Sequence, residues 1–219
     1  MSDIIEAFDL SAPKYDAWYE TSKGRQVLET ELNALDGLIP GTGLGVEIGA
    51  GTGIFAESLS SDARTIVCID PSIGMLRRAS ERGLHAVLAP GESPPLRDRC
   101  LGFAYLVTVL EFVEEPSAVL EGAKGALRDG SPVVVLTINR DSPWGALYRR
   151  LKDEGNPIFA VARLYDFEEA RAFIEAAGLA VAEASGTLTS GPDEPDAGDE
   201  RVLPGSPAGI FLFRAIKDG

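Results

Sequence analysis

The chain has 219 residues, 45% of them hydrophobic and 25% charged, which is typical of a globular protein with one sizeable core. Its 34 acidic residues exceed its 20 basic residues, and the net charge of −14 disfavours nucleic acids and anionic membrane surfaces as partners. The sequence has neither a membrane-length apolar run nor a basic secretory leader, so we expect no membrane insertion and a cytoplasmic location.

The segment before the first predicted strand, residues 1–41, combines aromatic residues with a helical pattern. The pattern covers residues 23–38 and ends before Pro40. Tyr15 and Tyr19 precede it, together with a tryptophan. Such aromatic residues either belong to an ordinary core or lie on a helix that closes over a ligand crevice. We expect an N-terminal lid.

Short apolar runs rich in valine, isoleucine and leucine dominate the middle of the chain. They cover residues 45–48, 65–69, 85–89, 102–109 and 132–138. Continuous runs of this kind are typical of strands buried on both faces, and helical spacing at 53–59, 73–82 and 116–127 lies between them. The alternation predicts an α/β fold, a Rossmann-like doubly wound sheet with mostly parallel strands.

The last third of the chain departs from this alternation. A helix is predicted over residues 167–177, followed by strands at 179–185 and 209–216 with no helix between them. Two late strands joined in this way predict an antiparallel C-terminal hairpin, which brings the sheet to seven strands. The connecting residues 186–207 are rich in glycine, proline and acids, and we expect a flexible loop.

The most informative segment, residues 46–56, reads V-E-I-G-A-G-T-G-I-F-A. Its alternating glycines let the chain turn sharply from strand to helix and let a ligand approach the backbone. Asp70 ends the next apolar run, where a carboxylate can accept hydrogen bonds from two ribose hydroxyls. Together, these features predict a nucleoside site.

A nicotinamide dinucleotide fits this segment less well. The fingerprint G-x-G-x-x-G needs a third small residue, and Ile54 stands at that position. Glu47 lies inside the predicted strand, where its carboxylate needs a hydrogen-bond donor or a cationic ligand and would repel a pyrophosphate. The residues therefore favour a nucleoside that carries positive charge, with a nicotinamide oxidoreductase as a distant alternative.

Four segments, in this order, resemble the motifs of the class I S-adenosylmethionine-dependent methyltransferases, particularly the small-molecule group that includes the ubiquinone and menaquinone biosynthesis enzymes. They are E-I-G-A-G-T-G at 47–53, I-D-P-S-I-G-M-L at 69–76, A-P-G-E-S-P-P-L at 89–96 and F-A-Y-L-V-T-V-L-E-F-V-E-E-P at 103–116. The resemblance covers residues 8–179. It implies S-adenosylmethionine as the methyl donor and S-adenosylhomocysteine as the product.

The resemblance also implies a set of cofactor-binding positions. The glycine loop would hold the methionine end, the acid after the second strand would bind the ribose, and the residues that follow would enclose the adenine. The end of the fourth strand would lie near the methyl group, beneath two aromatic residues of the lid. The implied positions are Tyr15, Tyr19, Glu47, Gly49, Ala50, Gly51, Gly53, Asp70, Pro71, Met75, Glu92, Ser93 and Thr108.

No residue stands out as catalytic. Methyl transfer is an in-line displacement that depends on alignment, and a base is needed only when the acceptor must lose a proton. Near predicted strand ends or in the lid, weak candidates are Tyr15, Glu111 and Asn139, with Arg140 beside the last. His85 begins the third predicted strand, and we expect it to pack structurally, far from the crevice.

Residues 141–166 contain four aromatic residues and are predicted to form the substrate wall for a mostly hydrophobic small molecule. The two cysteines lack the CxxC spacing of a zinc site, and we expect no metal. We therefore expect one methyltransferase domain, residues 1–219, with a cofactor-binding core at 42–140 and the substrate side and hairpin at 141–219. The alternative is a non-catalytic S-adenosylmethionine-binding protein of the same fold, and the oligomeric state is open.

Overall fold

The structure is a computed structural model that describes residues 2–194, 201–203 and 208–217. Helices and strands alternate up to the fifth strand, as the apolar runs predict, except that the third and fourth strands follow each other without a helix between them. In chain order the elements are α1 (Ser2–Tyr19), α2 (Ser22–Asp36), β1 (Gly43–Ile48), α3 (Ile54–Leu59), β2 (Arg64–Asp70), α4 (Ile73–Glu81), β3 (His85–Leu88), β4 (Phe103–Val107), α5 (Pro116–Ala126), β5 (Pro132–Ile138), α6 (Pro143–Asp153), α7 (Phe167–Ala176), β6 (Leu179–Thr187) and β7 (Ile210–Lys217).

The strands form one seven-stranded sheet in the order β3-β2-β1-β4-β5-β7-β6. Strands β1 to β5 pair in parallel, and β7 is antiparallel to both of its neighbours, β5 and β6. The predicted Rossmann-like fold with an antiparallel C-terminal hairpin is confirmed. Because the parallel strands share one direction, their carboxyl ends all lie at one edge of the sheet.

Two apolar cores cover the two faces of the sheet, and β4 contributes to both. Phe103 and Tyr105 pack on one face, while Ala104 and Leu106 pack on the other. Successive side chains of a strand point to opposite faces, so a strand covered by helices on both sides must be apolar at every position. This is the physical reason for the continuous apolar runs, and every residue of β4 and β5 is buried.

Some boundaries and placements were predicted wrongly. Strand β6 runs on to Thr187 because its last residues pair with the start of β7, so the predicted loop does not begin at 186. Residues 195–200 and 204–207 of that loop lie outside the described residues. His85 is exposed at the start of the edge strand β3, so the expectation that it packs structurally was wrong.

The predicted substrate segment, residues 141–166, contains a helix that the pattern analysis missed. Helix α6 has two clear start signals, since Pro143 is its first residue and the Ser142 hydroxyl accepts a 3.0 Å bond from the Gly145 amide. Among the helices that the structure describes, none is both long and apolar enough to cross a membrane.

The approach of β1 to β4 generates a stability prediction at Gly45. A Cβ at this position would lie 2.1 Å from the buried ring of Phe103, which has no room to move. We expect Gly45→Ala to lower the free energy of unfolding by about 1–3 kcal/mol, measured by urea denaturation. Gly41→Ala is the control, because a Cβ there meets nothing within 4 Å. Equal unfolding free energies for the two variants would contradict the packing argument.

Candidate active site

A cavity of about 720 Å³ opens at the carboxyl edge of the sheet. One side consists of the loops that follow β1, β2, β3 and β4, and helices α1, α2 and α6 form the other side. Open α/β sheets bind their ligands at this edge. The size falls within the range of about 300–1,000 Å³ that is typical of small-molecule sites.

The glycine loop after β1 turns through left-handed backbone conformations. Gly49, Gly51 and Gly53 have φ angles of 70°, 54° and 76°, which L side chains rarely adopt. Gly49 and Gly51 line the cavity, and a Cβ on Gly51 would meet no protein atom. Gly53 lies away from it and packs so closely that a Cβ would lie 2.6 Å from Leu84. The loop therefore presents bare backbone to the cavity at its first two glycines.

Asp70, at the end of β2, connects the glycine loop to the following loop. Its Oδ2 atom accepts a 2.8 Å hydrogen bond from the Gly51 amide, and Oδ1 accepts one of 2.8 Å from the Ser72 amide. The residue is almost fully buried, and this burial raises its pKa to about 6 against the opposing effect of the two amides. Each oxygen keeps a further lone pair and Asp70 lines the cavity, so the carboxylate can accept ligand hydroxyls as well.

Most of the predicted cofactor positions lie together at the cavity surface. Those that line it are Tyr15, Tyr19, Gly49, Gly51, Asp70, Pro71, Met75, Glu92 and Thr108. Those that lie outside its lining are Glu47, Ala50, Gly53 and Ser93. Thr108 is notable because it has a φ of 49°, a strained conformation for a β-branched residue, at the point where β4 reaches the cavity.

Glu47 lies one layer behind the glycine loop. Its Oε2 atom accepts a 3.0 Å hydrogen bond from the Tyr105 hydroxyl, and the carboxylate also accepts from the Ala56 amide. Burial nonetheless raises its pKa to about 8. The carboxylate thus finds its donors within the protein, which is one of the two arrangements that its position inside a strand requires.

Of the weak catalytic candidates, Tyr15 lines the cavity, whereas Glu111 and Asn139 do not. The Asn139 amide bridges backbone groups, because Nδ2 donates to the Ala208 carbonyl and Oδ1 accepts from the Asp141 amide, both at 2.9 Å. The neighbouring arginine forms ion pairs on the surface. This arrangement gives Asn139 a structural role at the end of β5.

Glu111 is buried in the short 3₁₀ turn after β4. Its Oε1 atom accepts from the Thr137 hydroxyl at 2.8 Å and from the Ile138 amide at 2.6 Å. Its Oε2 atom is buried with no hydrogen-bond partner in the described part of the chain. Burial raises the pKa of Glu111 to about 7.

Helix α1 is held over the cavity by two acidic residues that sequence reasoning missed. Asp9 accepts hydrogen bonds from the Ser72 hydroxyl at 2.5 Å and the Gly74 amide at 2.7 Å. Asp16 accepts from the Thr52 hydroxyl at 2.6 Å and pairs with Arg82, also at 2.6 Å. The lid is therefore attached to the same two loops that Asp70 connects. No sequence motif marks these acids, because their partners lie far away along the chain.

Sequence reasoning also missed Glu31, which lies on the cavity face of α2. Lys23, Val27 and Glu31 follow one another at intervals of four residues and line the cavity along this face. Glu31 is only 5% exposed, and burial together with the charge of Glu111 raises its pKa to about 8. An acid within the apolar stripe of a helix is the signal that could have revealed it.

The far wall of the cavity is aromatic. The rings of Tyr148 and Phe159 stack with centroids 4.5 Å apart, and Trp144 contacts Tyr148 from the other side at 6.4 Å. All three line the cavity, whereas Tyr165, the fourth aromatic residue of the predicted wall, packs against Phe173 instead. Burial and the charge of Glu31 raise the pKa of Tyr148.

Comparison with known proteins identifies the family and supports the fold. Residues 46–135 match the model of a methyltransferase domain family. An uncharacterised protein of Methanocaldococcus jannaschii is 35% identical over 150 residues, which is 68% of this chain and 70% of that protein. An uncharacterised protein of Mycobacterium tuberculosis is 34% identical over 182 residues, and the match covers 83% of this chain and 62% of its relative.

A solved structure from Thermotoga maritima superimposes with a TM-score of 0.86 at 28% identity, over 98% of this chain and all of the other. That protein is described as an S-adenosylmethionine-dependent methyltransferase and a possible histamine N-methyltransferase. The chain belongs to the class I S-adenosylmethionine-dependent methyltransferases. S-adenosylmethionine is therefore its cofactor.

The buried acids generate a prediction about stability and pH. The pKa of Glu31 is 4.5 ordinarily and about 8 in the folded protein, so the folded state binds this proton more tightly than the unfolded state. Its contribution to stability is present below pH 4.5 and is lost as the pH rises through 8. We expect the ligand-free protein to melt at a lower temperature at pH 8 than at pH 5, and Glu31→Gln to reduce this difference.

Thermal unfolding monitored by circular dichroism measures the effect. Glu29→Gln is the matched control, because Glu29 lies on the same helix and is exposed. Glu47 and Glu111 have raised pKa values as well, so part of the pH dependence remains in Glu31→Gln. The assignment is wrong if Glu31→Gln and Glu29→Gln show the same dependence on pH.

Proposed function

We propose that this methyltransferase is catalytically active and transfers the methyl group to a small-molecule acceptor. The observation that carries the proposal is the shared cavity. The glycine loop and Asp70 line one side, and the aromatic wall around Tyr148 lines the other. A methyl donor bound along the first side would direct its reactive group towards an acceptor held against the second.

The proposed cofactor contacts follow from the groups that line this first side. The Asp70 carboxylate has lone pairs for two ribose hydroxyls, and Pro71 and Met75 offer apolar surface to the adenine. In this arrangement Glu92, with Ser93 beside it, would contact the adenine edge, and Thr108 would lie near the reactive methyl group. The remaining positions, Glu47, Ala50 and Gly53, shape the loop from behind.

S-adenosylmethionine supplies an electrophilic methyl group on a sulfonium, and the task of the protein is alignment and exclusion of water. Tyr15 and Tyr19 on α1 cover the cavity, and the Asp9 and Asp16 contacts hold that helix in place. Thr108 keeps its strained backbone where β4 reaches the cavity, and strain of this kind is typical of sites that need precise positioning of a ligand.

A small acceptor fits the enclosure better than a polymer does. Helices α1, α2 and α6 cover the strand edge, and the net charge of −14 repels nucleic acids. The description of the Thermotoga maritima protein, which names histamine as a possible acceptor, supports the small-molecule class. We further propose that residues 1–219 act as one domain in the cytoplasm, where the free thiols of Cys68 and Cys100 would stay reduced.

Asp70 tests the proposed cofactor geometry. Asp70→Ala removes an acceptor of charged hydrogen bonds, and we expect S-adenosylhomocysteine to bind about 1.5–3 kcal/mol more weakly in calorimetry. Asp62→Ala, at an exposed position, is the control and should bind normally. Asp70→Asn keeps one acceptor oxygen and should lie between the two. Unchanged affinity in folded Asp70→Ala would refute the assignment.

Catalysis itself is tested by release of S-adenosylhomocysteine from S-adenosylmethionine in the presence of a panel of small amines, phenols and acids. We expect turnover with at least one class, and loss of that turnover in Asp70→Ala at limiting cofactor. Tight cofactor binding without turnover of any acceptor would instead favour the non-catalytic binding protein.

A further inference from the structure

One buried acid in the cavity lining, Glu31, takes no part in the proposed cofactor contacts. Glu31 projects from α2 between the lid and the aromatic wall, and its charge acts on the hydroxyls of Tyr15, Tyr19 and Tyr148. These tyrosines belong to α1 and α6, so the carboxylate lies where three helices meet around the cavity.

The Glu31 carboxylate has no cation or hydrogen-bond donor paired with it among the described residues. The influences on its pKa are burial and the negative charge of Glu111. Burial of a charged carboxylate without a partner is costly, so Glu31 holds its proton at neutral pH in the free protein, and a cationic ligand paired with it would favour the ionised form. Glu111, whose charge acts on Glu31, also has a buried Oε2 atom without a partner in the described part of the chain, but it lies outside the cavity lining.

The cavity as a whole carries negative charge. Five acidic side chains line it, Glu31, Asp70, Glu92, Glu114 and Asp193, against two basic ones. The basic residues lie on the rim: Lys14 is exposed, and the Lys23 amine donates to the Glu194 carbonyl at 2.8 Å. Such a lining attracts a cation and repels a carboxylate or phosphate.

The aromatic residues of the cavity suit the same kind of ligand. Tyr15, Tyr19, Tyr148 and Trp18 all line it, and the faces of such rings attract ammonium groups. A carboxylate that shares a cavity with aromatic side chains offers a cation both a counter-charge and apolar contact. A neutral hydroxyl would satisfy only one hydrogen bond and leave the charge unbalanced.

We propose that Glu31 binds the amino group of the methyl acceptor, so that the enzyme is an N-methyltransferase of small amines with an apolar or aromatic body. This inference rests on the proposed function and names its substrate class. The aromatic wall formed by Trp144, Tyr148 and Phe159 would hold the body of the amine.

Glu31 would also remove the proton that blocks reaction. An amine enters mostly as its ammonium form, which has no lone pair, and the ammonium gives one proton to the Glu31 carboxylate. The nitrogen lone pair then forms a bond to the methyl carbon as the carbon–sulfur bond breaks, and the bonding electrons pass to sulfur. The products are the methylated amine, an ammonium ion that carries the positive charge lost by the sulfonium, and S-adenosylhomocysteine with a neutral sulfur; Glu31 is left protonated, as it is in the free protein at neutral pH. Binding of the ammonium ionises Glu31, because a neighbouring cation lowers the raised pKa of this carboxyl, and the one proton released overall passes to solvent at that point; the carboxylate can then accept the proton from nitrogen.

The experiment measures amine binding to the protein saturated with S-adenosylhomocysteine. The probes are 2-phenylethylamine, tryptamine and hexylamine, each compared by calorimetry with the alcohol of the same skeleton. We expect at least one amine to bind the wild type about tenfold or more tightly than its alcohol, because a charged hydrogen bond replaces a neutral one. In Glu31→Gln we expect that ratio to fall to about threefold or less, while the variant stays folded and its S-adenosylhomocysteine affinity stays as in Glu29→Gln.

Glu31→Asp keeps the charge and should recover part of the amine preference, which separates a charge effect from a packing effect. The rate of S-adenosylhomocysteine release with amines as acceptors should follow the same order, highest in the wild type, lower in Glu31→Asp and lowest in Glu31→Gln.

Three results would overturn the inference while leaving the proposed function intact. These are the absence of any amine preference in the wild type, an equal preference in Glu31→Gln, and turnover of phenols but not amines. A loss of cofactor affinity in Glu31→Gln with the amine preference retained would assign Glu31 to the cofactor and would also overturn it. Failure of the wild type to bind S-adenosylhomocysteine at all would count against the proposed function itself.

Discussion

The carboxylate of Asp70 is the contact on which the geometry of the site depends. By accepting the amides of Gly51 and Ser72, it fixes the loops after β1 and β2 relative to each other. The lid is then attached to those same loops, through Asp9 at Ser72 and Asp16 at Thr52. The lid is therefore positioned by the two loops, and the loops are positioned by the ends of the adjacent parallel strands β1 and β2.

Four acidic side chains are buried at or near the site, and they differ in the hydrogen-bond donors that each one has. Glu47 receives donors from Tyr105 and Ala56, and Asp70 receives two backbone amides. In Glu111 one carboxylate oxygen has hydrogen-bond donors and the other has none, and Glu31 has no donor among the described residues. Of the four acids, Glu31 therefore has the fewest donors. Burial of carboxyl groups with few donors makes the fold less stable than it could be. Such a loss of stability is common at binding sites, where groups are positioned for a ligand.

Much of the fold could be predicted from local patterns. The apolar runs of β4 and β5 are continuous because both faces of those strands are covered, and the glycines at 49, 51 and 53 mark a turn that needs positive φ angles. The same segment, with Asp70, indicated the cofactor class before any contact was known. Less was predictable at the margins: β6 gained two residues through pairing with β7, and α6 was overlooked despite its Ser142 cap.

The sequence by itself determined the class of fold, the order of the sheet-forming segments and the methyl donor, because each of these depends on residues close together in the chain. Only the tertiary structure decided which side chains share the cavity. Glu31, Tyr148 and Asp70 lie on three separate elements, and their meeting depends on how α2 and α6 pack over the strand edge. It also decided that Glu47 faces Tyr105 rather than the cavity. Long-range packing sets these relations, and no local periodicity records them.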